Sequence, residues 1–240
     1  AIPYPIHYID FEASRVALPY HAGMRPYGLL AFQWSCHTVD APGGAPRHAE
    51  WLNIESAWPS GEFVRTLRAC VGNTGAIAVW SPFEASTLRD LREQLEARGE
   101  LSPELATWLD GLPARMVDLH KIAQEEYYHP LMKGRTSIKV VLDALWQTDP
   151  QMREQCAAWS GLALDANADP YKALPPIEIG GVERSVHDGT GAIEAYEMML
   201  FSALGTDPDA RARWSRLLKQ YCELDTLSMV LIHEHWRRLS

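Results

Sequence analysis

The chain has 240 residues, 47% of them hydrophobic, and a formal net charge of −9 at pH 7. This length and apolar content predict a folded globular enzyme, built as one large α/β domain or two small ones. The negative charge disfavours nonspecific attraction to a phosphate backbone, although bound divalent cations can reverse the local sign of an acidic site. No apolar stretch approaches the roughly 20 residues that span a bilayer, and no signal-peptide pattern is seen, so we expect a soluble, cytoplasmic protein.

The four cysteines give no sign of a disulfide framework or a zinc knuckle. Cys36, Cys70, Cys156 and Cys222 lie far apart, without a C-x-x-C pair or a local cluster with histidine. We therefore expect reduced thiols in packed positions.

The first predicted element is a strand over residues 6–12. Its alternation places Ile9 and Phe11 on one face and Asp10 and Glu12 on the other. A second strand from Leu29 to Val39 leads through a turn into a third strand around Ala49–Ile54. The short connection predicts an antiparallel meander.

Helices then alternate with strands. The predicted elements are a helix over 60–71 with Ser60 as its N-cap, a strand over 76–80, a helix from Pro82, a helix capped by Ser102 and a strand over 116–119. Three antiparallel strands followed by strands alternating with helices predict an α/β fold with a mixed five-stranded sheet, flanked by helices, on the ribonuclease-H-like plan.

The C-terminal half is predicted to be mainly helical. The helices are expected at about 136–147, 150–159, 190–204 and 208–238. The segment Tyr127 to Pro130 and the Pro/Gly-rich stretch 165–191 are expected to be loops.

Asp10 and Glu12 are the first candidates for chemistry. They lie two residues apart on a predicted strand, so both carboxylates leave the same face and can share one divalent cation. Two adjacent acids on a buried face are costly unless a metal or a basic partner neutralises them. A solvated strand end is the alternative interpretation.

The final predicted helix contributes a third acid. Its apolar stripe is interrupted by Tyr221 and Asp225, which are four residues apart and therefore share a face. A carboxylate on a core-facing stripe needs a compensating charge, which a cation shared with Asp10 and Glu12 would provide. An ion pair with Arg or Lys, or a helix N-terminal position, is the alternative.

These two segments, Tyr8 to Glu12 and Tyr221 to Thr226, resemble the first and third motifs of DnaQ-like DEDD exonucleases, and the Tyr-x-x-x-Asp form resembles the tyrosine subclass. The resemblance implies an acid after the fourth strand, where this chain has Ser81-Pro82-Phe83-Glu84. The usual pattern has Asn earlier and Asp after the aromatic residue, so Glu84 is an atypical ligand. The same four residues also fit an S-x-x-E capping box with Pro at its first helical position.

Further segments extend the resemblance to nearly the whole chain. Residues 23–27, 127–134 and 137–139, together with the two motifs above, resemble an uncharacterised bacterial DnaQ-like family. That resemblance implies a single exonuclease domain over residues 1–240, belonging to a longer protein in which a separate RecB-like nuclease region precedes it. Asp118, at the end of the fifth strand, is expected to support the site from outside the ligand set or to cap a turn.

The loop near residue 128 is a candidate for nucleic-acid contact. Tyr128, His129 and Lys133 combine aromatic faces with positive charge, which suits stacking on bases and holding phosphates of a single strand. Phe11, between the two acids, is also expected to contact substrate. A packed aromatic loop is the simpler alternative.

The resemblance implies a two-metal 3′-to-5′ exonuclease acting on single-stranded DNA or RNA and releasing nucleoside 5′-monophosphates. Asp10, Glu12 and Asp225 would hold one Mg²⁺ or Mn²⁺, and Glu84 would help Asp10 to retain a second ion. Tyr221 would position or deprotonate the attacking water. The alternatives are a catalytically impaired module that binds nucleic acid or protein, and a hydrolase of small phosphodiesters.

Overall fold

The fold is taken from a computed structural model that describes residues 2–239, apart from the side chains of Ala203 and Leu204. Residues 1 and 240 of the expected single domain lie outside this range. The strands are β1 Ile6–Ser14, β2 Leu30–Val39, β3 Arg47–Leu52, β4 Ala76–Val79, β5 Met116–Asp118, β6 Ile177–Ile179 and β7 Val182–Arg184. The α-helices are α1 Ser60–Val71, α2 Phe83–Ala97, α3 Pro103–Gly111, α4 Leu119–Glu125, α5 Ile138–Thr148, α6 Pro150–Ser160, α7 Gly189–Phe201 and α8 Pro208–Leu239.

The main sheet has five strands in the order β3-β2-β1-β4-β5. The pairs β1–β2 and β2–β3 are antiparallel, whereas β1–β4 and β4–β5 are parallel. The predicted fold class, a mixed five-stranded sheet on the ribonuclease-H-like plan with a helical C-terminal half, is therefore confirmed.

Strand β1 lies at the centre of the sheet and is covered on both faces. Ile6 and Tyr8 belong to a core with α5, α7 and α8, and Ile9 and Phe11 belong to a second core with α1, α2 and α3. The alternation of a β-strand thus directs Asp10 and Glu12 to the α8 side, because they share the face of Tyr8.

Helix α8 is 32 residues long and packs against β1 and β2. Side-chain hydrogen bonds fix its position on the sheet. The Gln33 amide donates to the carbonyl of Leu218 (3.1 Å), and the Tyr8 hydroxyl lies 2.6 Å from Nδ1 of His233. None of the helices between residues 2 and 239 has the combination of length and apolar character that crossing a membrane requires.

Three local features differ from the sequence expectation. Helix α4 begins at Leu119, which was expected to end the fifth strand, because Asp118 caps the helix there. Ser60 is the first residue of α1 rather than its N-cap, because its hydroxyl donates to Gln94 (2.7 Å) and accepts from the Trp58 indole (2.9 Å). The stretch expected to be a loop contains the hairpin β6–β7, whose two-residue turn is Gly180-Gly181, both with positive φ. Two residues with positive φ are the requirement of a tight hairpin turn, and glycine meets it without strain.

Candidate metal centre

The second half of β1 extends beyond the end of its parallel neighbour β4. Strand β4 pairs with β1 only through Ile6, His7 and Tyr8, so Asp10 and Glu12 extend beyond the end of β4. In α/β sheets, the crevice beyond the carboxyl ends of parallel strands is where ligands bind. Helix α8 closes this crevice on one side.

Asp10 and Glu12 meet a thiol from α8 in this crevice. Ligand atoms of Asp10, Glu12 and Cys222 all lie within 4.8 Å of one another. The Cys222 thiol donates to Oδ2 of Asp10 over 3.4 Å. Such a group of two carboxylates and one sulfur has the size and donor types of a cation site.

Glu12 supplies the clearest sign that a ligand belongs here. Only 8% of the residue is exposed, and its carboxylate has no hydrogen-bond donor or ion-pair partner among the residues that the structure describes. A buried carboxylate is normally paired, hydrogen-bonded or bound to a metal. The donor set therefore fits a divalent cation.

Asp225 lies beside this group on α8. It is buried, and its Oδ1 accepts a hydrogen bond from the Tyr171 hydroxyl over 2.6 Å. Asp225 is not among the residues whose ligand atoms lie within 4.8 Å of one another. Of the charged groups, however, it has the largest effect on the pKa values of Asp10 and Glu12. The structure thus brings the three predicted acids into one electrostatic unit.

Burial raises the pKa values of all three carboxyl groups, and repulsion between the acids raises those of Asp10 and Glu12 as well. Desolvation, followed by the charges of Asp225 and Glu12, raises the pKa of Asp10 well above its usual range. Desolvation and the charge of Asp225 do the same to the pKa of Glu12. Desolvation also raises the pKa of Asp225 to about 6, against the hydrogen bond from Tyr171 and the charge of Lys139. A bound cation would reverse these shifts by stabilising the ionised forms.

Glu84 lies in the first turn of α2 and is almost fully buried, with 3% exposed. Desolvation, together with smaller contributions from the charges of Asp118 and Asp225, raises the pKa of its carboxyl to about 8. The Ser81 hydroxyl donates to the Glu84 carboxylate (3.4 Å) and accepts from the amide of Phe83 (3.1 Å). Ser81 therefore supports the start of α2, and the pKa of Glu84 responds to the charge of Asp225.

Tyr221 lies one turn before Asp225 and is held by a lysine. The ammonium of Lys139 is 3.3 Å from the Tyr221 hydroxyl and donates to the carbonyl of His187 (2.5 Å). It also lies over the rings of Tyr171 and Tyr221, 4.9 and 5.0 Å from their centroids. Its positive charge lowers the pKa values of Glu12 and Asp225, against their burial.

The N-terminus of α7 forms another wall of the crevice. A Cβ built on Gly189 would be 3.9 Å from Oε2 of Glu12. Asp188 caps α7 by accepting from the amide of Gly191 over 2.9 Å, as expected of a turn aspartate, and its charge contributes to the raised pKa of Glu12.

The other predicted residues do not belong to the group of ligand atoms. Phe11 is buried on the opposite face of β1, against Phe63 at 5.0 Å, because strand alternation turns it away from Asp10. Tyr128 is 76% exposed, and Lys133 ends a short turn with φ 51°. His129 caps that same turn by accepting from Leu131 (3.3 Å).

Asp118 has the capping role that was one of the two expectations. Its carboxylate accepts from the amide of His120 at the start of α4 over 2.9 Å. Because its charge also raises the pKa of Glu84, it influences the site without belonging to the group of ligand atoms.

Sequence reasoning missed Tyr171, Lys139 and Cys222 as parts of the site. Tyr171 lies in a stretch interpreted only as a loop, and Lys139 stood out only as part of a resembling segment. Cys222 was interpreted as a packed thiol, although its position three residues before Asp225 placed it one helical turn away.

Comparison with known proteins supplies a family and a distant relative. The family model described as "Domain of unknown function (DUF2779)" matches residues 7–137, more than half of the chain, which includes Asp10, Glu12 and Glu84 and ends before α8. The curated protein "Elongation factor 4" of Rubrobacter xylanophilus is 26% identical over 212 residues. That alignment covers 84% of this chain and 32% of the relative, so the chain spans about a third of the relative's length. No solved structure matches the chain at a significant level.

Proposed function

We propose that this chain, which belongs to the family described as "Domain of unknown function (DUF2779)", is a metal-dependent exonuclease of the DnaQ-like type. In this proposal it hydrolyses phosphodiester bonds of single-stranded DNA or RNA from the 3′ end and releases nucleoside 5′-monophosphates. The observation that carries the proposal is the meeting of Asp10, Glu12 and Asp225 beyond the end of β4, with Glu12 buried and unpartnered within the described chain.

The residues suit divided roles. Asp10, Glu12 and Asp225 would hold Mg²⁺ or Mn²⁺, and Glu84 would help to retain a second ion through solvent. When bound, two such cations clamp a phosphodiester and stabilise the charge that develops on its oxygens. The carboxylates would bind in their ionised forms, so binding releases the protons that burial otherwise retains.

Tyr221 is better suited to positioning than to proton abstraction. Desolvation, together with the charges of Asp225 and Glu12, raises the pKa of its phenol far above the usual value. A neutral phenol can donate a hydrogen bond and orient a water molecule or a phosphate oxygen. Lys139, next to this hydroxyl, would hold the phenol in place and supply a positive charge near the phosphate.

Substrate contacts outside the crevice would come from the loop before α5. Tyr128 presents an exposed ring and Lys133 an exposed ammonium, a combination that stacks bases and attracts phosphates in single-strand binders. Phe11, buried on the other face of β1, offers no surface for this contact.

A second candidate function, a catalytically impaired binding module, is favoured by two contacts. The Tyr171 hydroxyl already occupies Oδ1 of Asp225, and the Lys139 ammonium already provides positive charge near Glu12 and Asp225. In a module, these groups would stabilise the acids in place of cations.

The experiment that separates these functions uses 5′-labelled single- and double-stranded DNA and RNA, incubated with Mg²⁺, Mn²⁺ or chelator. The proposal predicts a ladder that shortens from the 3′ end of single strands in the presence of metal and is lost with chelator. Asp225→Asn should abolish the ladder, and Asp143→Asn, an exposed acid on α5, should retain it. Full activity in Asp225→Asn, or cleavage of mononucleotide esters independent of oligonucleotide length, would contradict the exonuclease.

A further inference from the structure

The thiol of Cys222 is placed among the predicted metal ligands. Cys222 is fully buried on α8, and its Sγ lies within 4.8 Å of ligand atoms of both Asp10 and Glu12. By contrast, the buried thiol of Cys156 contacts Ser160 of its own helix at 3.6 Å. The sulfur of Cys222 thus faces acids across two elements, β1 and α8.

A second observation indicates that this group takes a ligand. The Glu12 carboxylate, in a residue only 8% exposed, lies beside the thiol and Asp10. Among residues 2–239 it accepts no hydrogen bond and forms no ion pair, although the charge of Lys139 acts on it from a distance. The hydrogen bond from Cys222 satisfies Asp10 alone. A cation coordinated by all three groups would satisfy Glu12 as well.

We propose that Cys222 is a metal ligand, and that Asp10, Glu12 and Cys222 form a mixed oxygen and sulfur site that prefers Co²⁺, Zn²⁺ and other thiophilic divalent cations to Mg²⁺. The inference rests on the metal centre of the proposed function and specifies its cofactor. Carboxylate oxygens alone suit hard cations, whereas a thiolate donor selects softer transition metals and adds nothing for Mg²⁺.

The chemistry of binding is an acid–base exchange without redox change. As the sulfur–metal bond forms, the thiol transfers its proton to solvent or buffer, and the cation keeps its charge. Binding of a thiophilic cation therefore releases one more proton from the wild-type chain than from a chain in which Cys222 is replaced by serine, whose hydroxyl stays protonated.

The test is a titration of the full chain with Co²⁺ alone, after chelator treatment and in a phosphine reductant that keeps the thiols reduced without binding as a thiol. A Co²⁺–thiolate bond produces a sulfur-to-metal charge-transfer band in the near ultraviolet, which is measured independently of any nuclease activity. The variants are Cys222→Ser, which is nearly isosteric, and Cys156→Ser as a matched buried thiol. Circular dichroism checks that each variant is folded.

The proposal predicts the band in the wild type and in Cys156→Ser and its loss in Cys222→Ser. Calorimetry should show Co²⁺ binding weakened about tenfold or more in Cys222→Ser, with Mg²⁺ binding changed less than about twofold. Co²⁺ binding without the band in the wild type would overturn the role of Cys222 and leave the exonuclease intact. The band without nuclease activity would leave the thiol ligand standing and contradict the exonuclease, whereas no Co²⁺ binding at all would contradict both.

Discussion

At the scale of single residues, the proposed metal centre asks the carboxylate of Asp225 to accept a structural hydrogen bond and to bind a cation. Its Oδ1 accepts a hydrogen bond from Tyr171 at 2.6 Å, and a carboxylate with one such bond keeps further lone pairs with which it could bind a cation. A hydrogen bond to a charged group contributes about 1.5–3 kcal/mol, which is large enough to orient the carboxylate before a cation arrives. In the proposed metal centre, Tyr171 would therefore act on the cation through Asp225.

We predict that Tyr171→Phe weakens Mn²⁺ binding about tenfold, because a carboxylate that is not held in place must be ordered when the cation binds, and this ordering reduces the affinity. Calorimetric titration of the folded variant measures this. Tyr20→Phe is the matched control, since Tyr20 also donates to a carboxylate, that of Glu197, over 2.6 Å. Equal Mn²⁺ affinity in Tyr171→Phe and the wild type would show that Asp225 needs no such orientation.

Lys139 provides a second prediction at this scale. Replacing it with Met removes a positive charge that competes with cations, so Mn²⁺ affinity should be unchanged or higher. Turnover of single-stranded DNA or RNA should nevertheless fall at least about tenfold, because the Tyr221 hydroxyl loses its partner and the phosphate loses a cation. Lys121→Met, on the exposed surface of α4, should leave both quantities unchanged. A fall in metal affinity with turnover intact would contradict this division of roles.

The shared face of Asp10 and Glu12 and that of Tyr221 and Asp225 could be predicted from the sequence, because each pair lies on one element and the spacing decides which face it occupies. Tyr171 could not be predicted in this way. Its contact with Asp225 joins residues that are 54 positions apart and depends on the path of an irregular segment. No local period reports such a contact.

At the scale of elements, the end of α8 is joined to the start of α6 by one carboxylate. Asp149 caps α6 by accepting from the amide of Met152 (3.1 Å), and it pairs with His235 (2.7 Å) and with Arg238. Although burial opposes the shift, the hydrogen bonds from His235 and Met152 and the charge of Arg238 lower the pKa of Asp149.

We predict that Asp149→Ala lowers the Tm, since loss of an N-cap costs about 1 kcal/mol and the two partners on α8 lose their acceptor as well. A carboxyl whose pKa is lowered by folding stabilises the fold at pH values above 3.8, its ordinary pKa. This stabilisation is lost as the pH falls through the pKa of the folded state. The difference in Tm from the wild type should therefore be full at pH 7 and shrink below about pH 4. Thermal unfolding followed by circular dichroism tests this, with the exposed acid variant Asp143→Ala as control; a difference that persists at low pH would contradict it.

The elements themselves differ in how much of their structure was visible in advance. The Ser102 cap of α3 and the apolar spacing of α2 are local signals, and the structure confirms them. The hairpin β6–β7 also carried a signal, a Gly-Gly pair between short alternating runs, which the interpretation of 165–191 as a loop passed over. The prediction that Ser60 is an N-cap was wrong because its hydroxyl forms hydrogen bonds with Trp58 and Gln94, which lie outside α1.

At the scale of the whole molecule, the buried acids should make stability depend on pH and, in the proposed metal centre, on the bound cation as well. The pKa of Glu84 is raised from 4.5 to about 8 and that of Asp225 from 3.8 to about 6, mainly by burial. A group whose pKa is raised by folding contributes its full stabilisation at pH values below its pKa in the unfolded state. That contribution is lost as the pH rises through its pKa in the folded state. The metal-free chain should therefore lose stability across this window.

We predict that in chelator the Tm falls as the pH is raised from 5 to 8.5, and that Mn²⁺ restores it increasingly at the higher pH, because the cation binds the ionised folded site. Glu84→Gln should show a shallower fall, since it lacks one of the titrating groups. Scanning fluorimetry with and without Mn²⁺ measures both slopes. A Tm in chelator that is constant or rises over this range in both chains would count against the buried acids as the cause.

The order of the sheet was predictable because a meander followed by alternating helices and strands allows few arrangements. The way in which α8 returns to β1 was less so. It is specified by pairs such as Gln33 with Leu218, which are 185 positions apart. The resemblance suggested that the two ends of the chain meet, and tertiary contacts decide which side chains do.

The most direct test of the central claim is calorimetric titration of Mn²⁺ into the metal-free wild-type chain and into Asp10→Asn, with Asp143→Asn as the matched surface acid. If Asp10, Glu12 and Asp225 form a metal centre, the wild type and Asp143→Asn bind at least one cation with release of protons, and folded Asp10→Asn does not. Absence of binding in the wild type, or equal binding in Asp10→Asn, would contradict it.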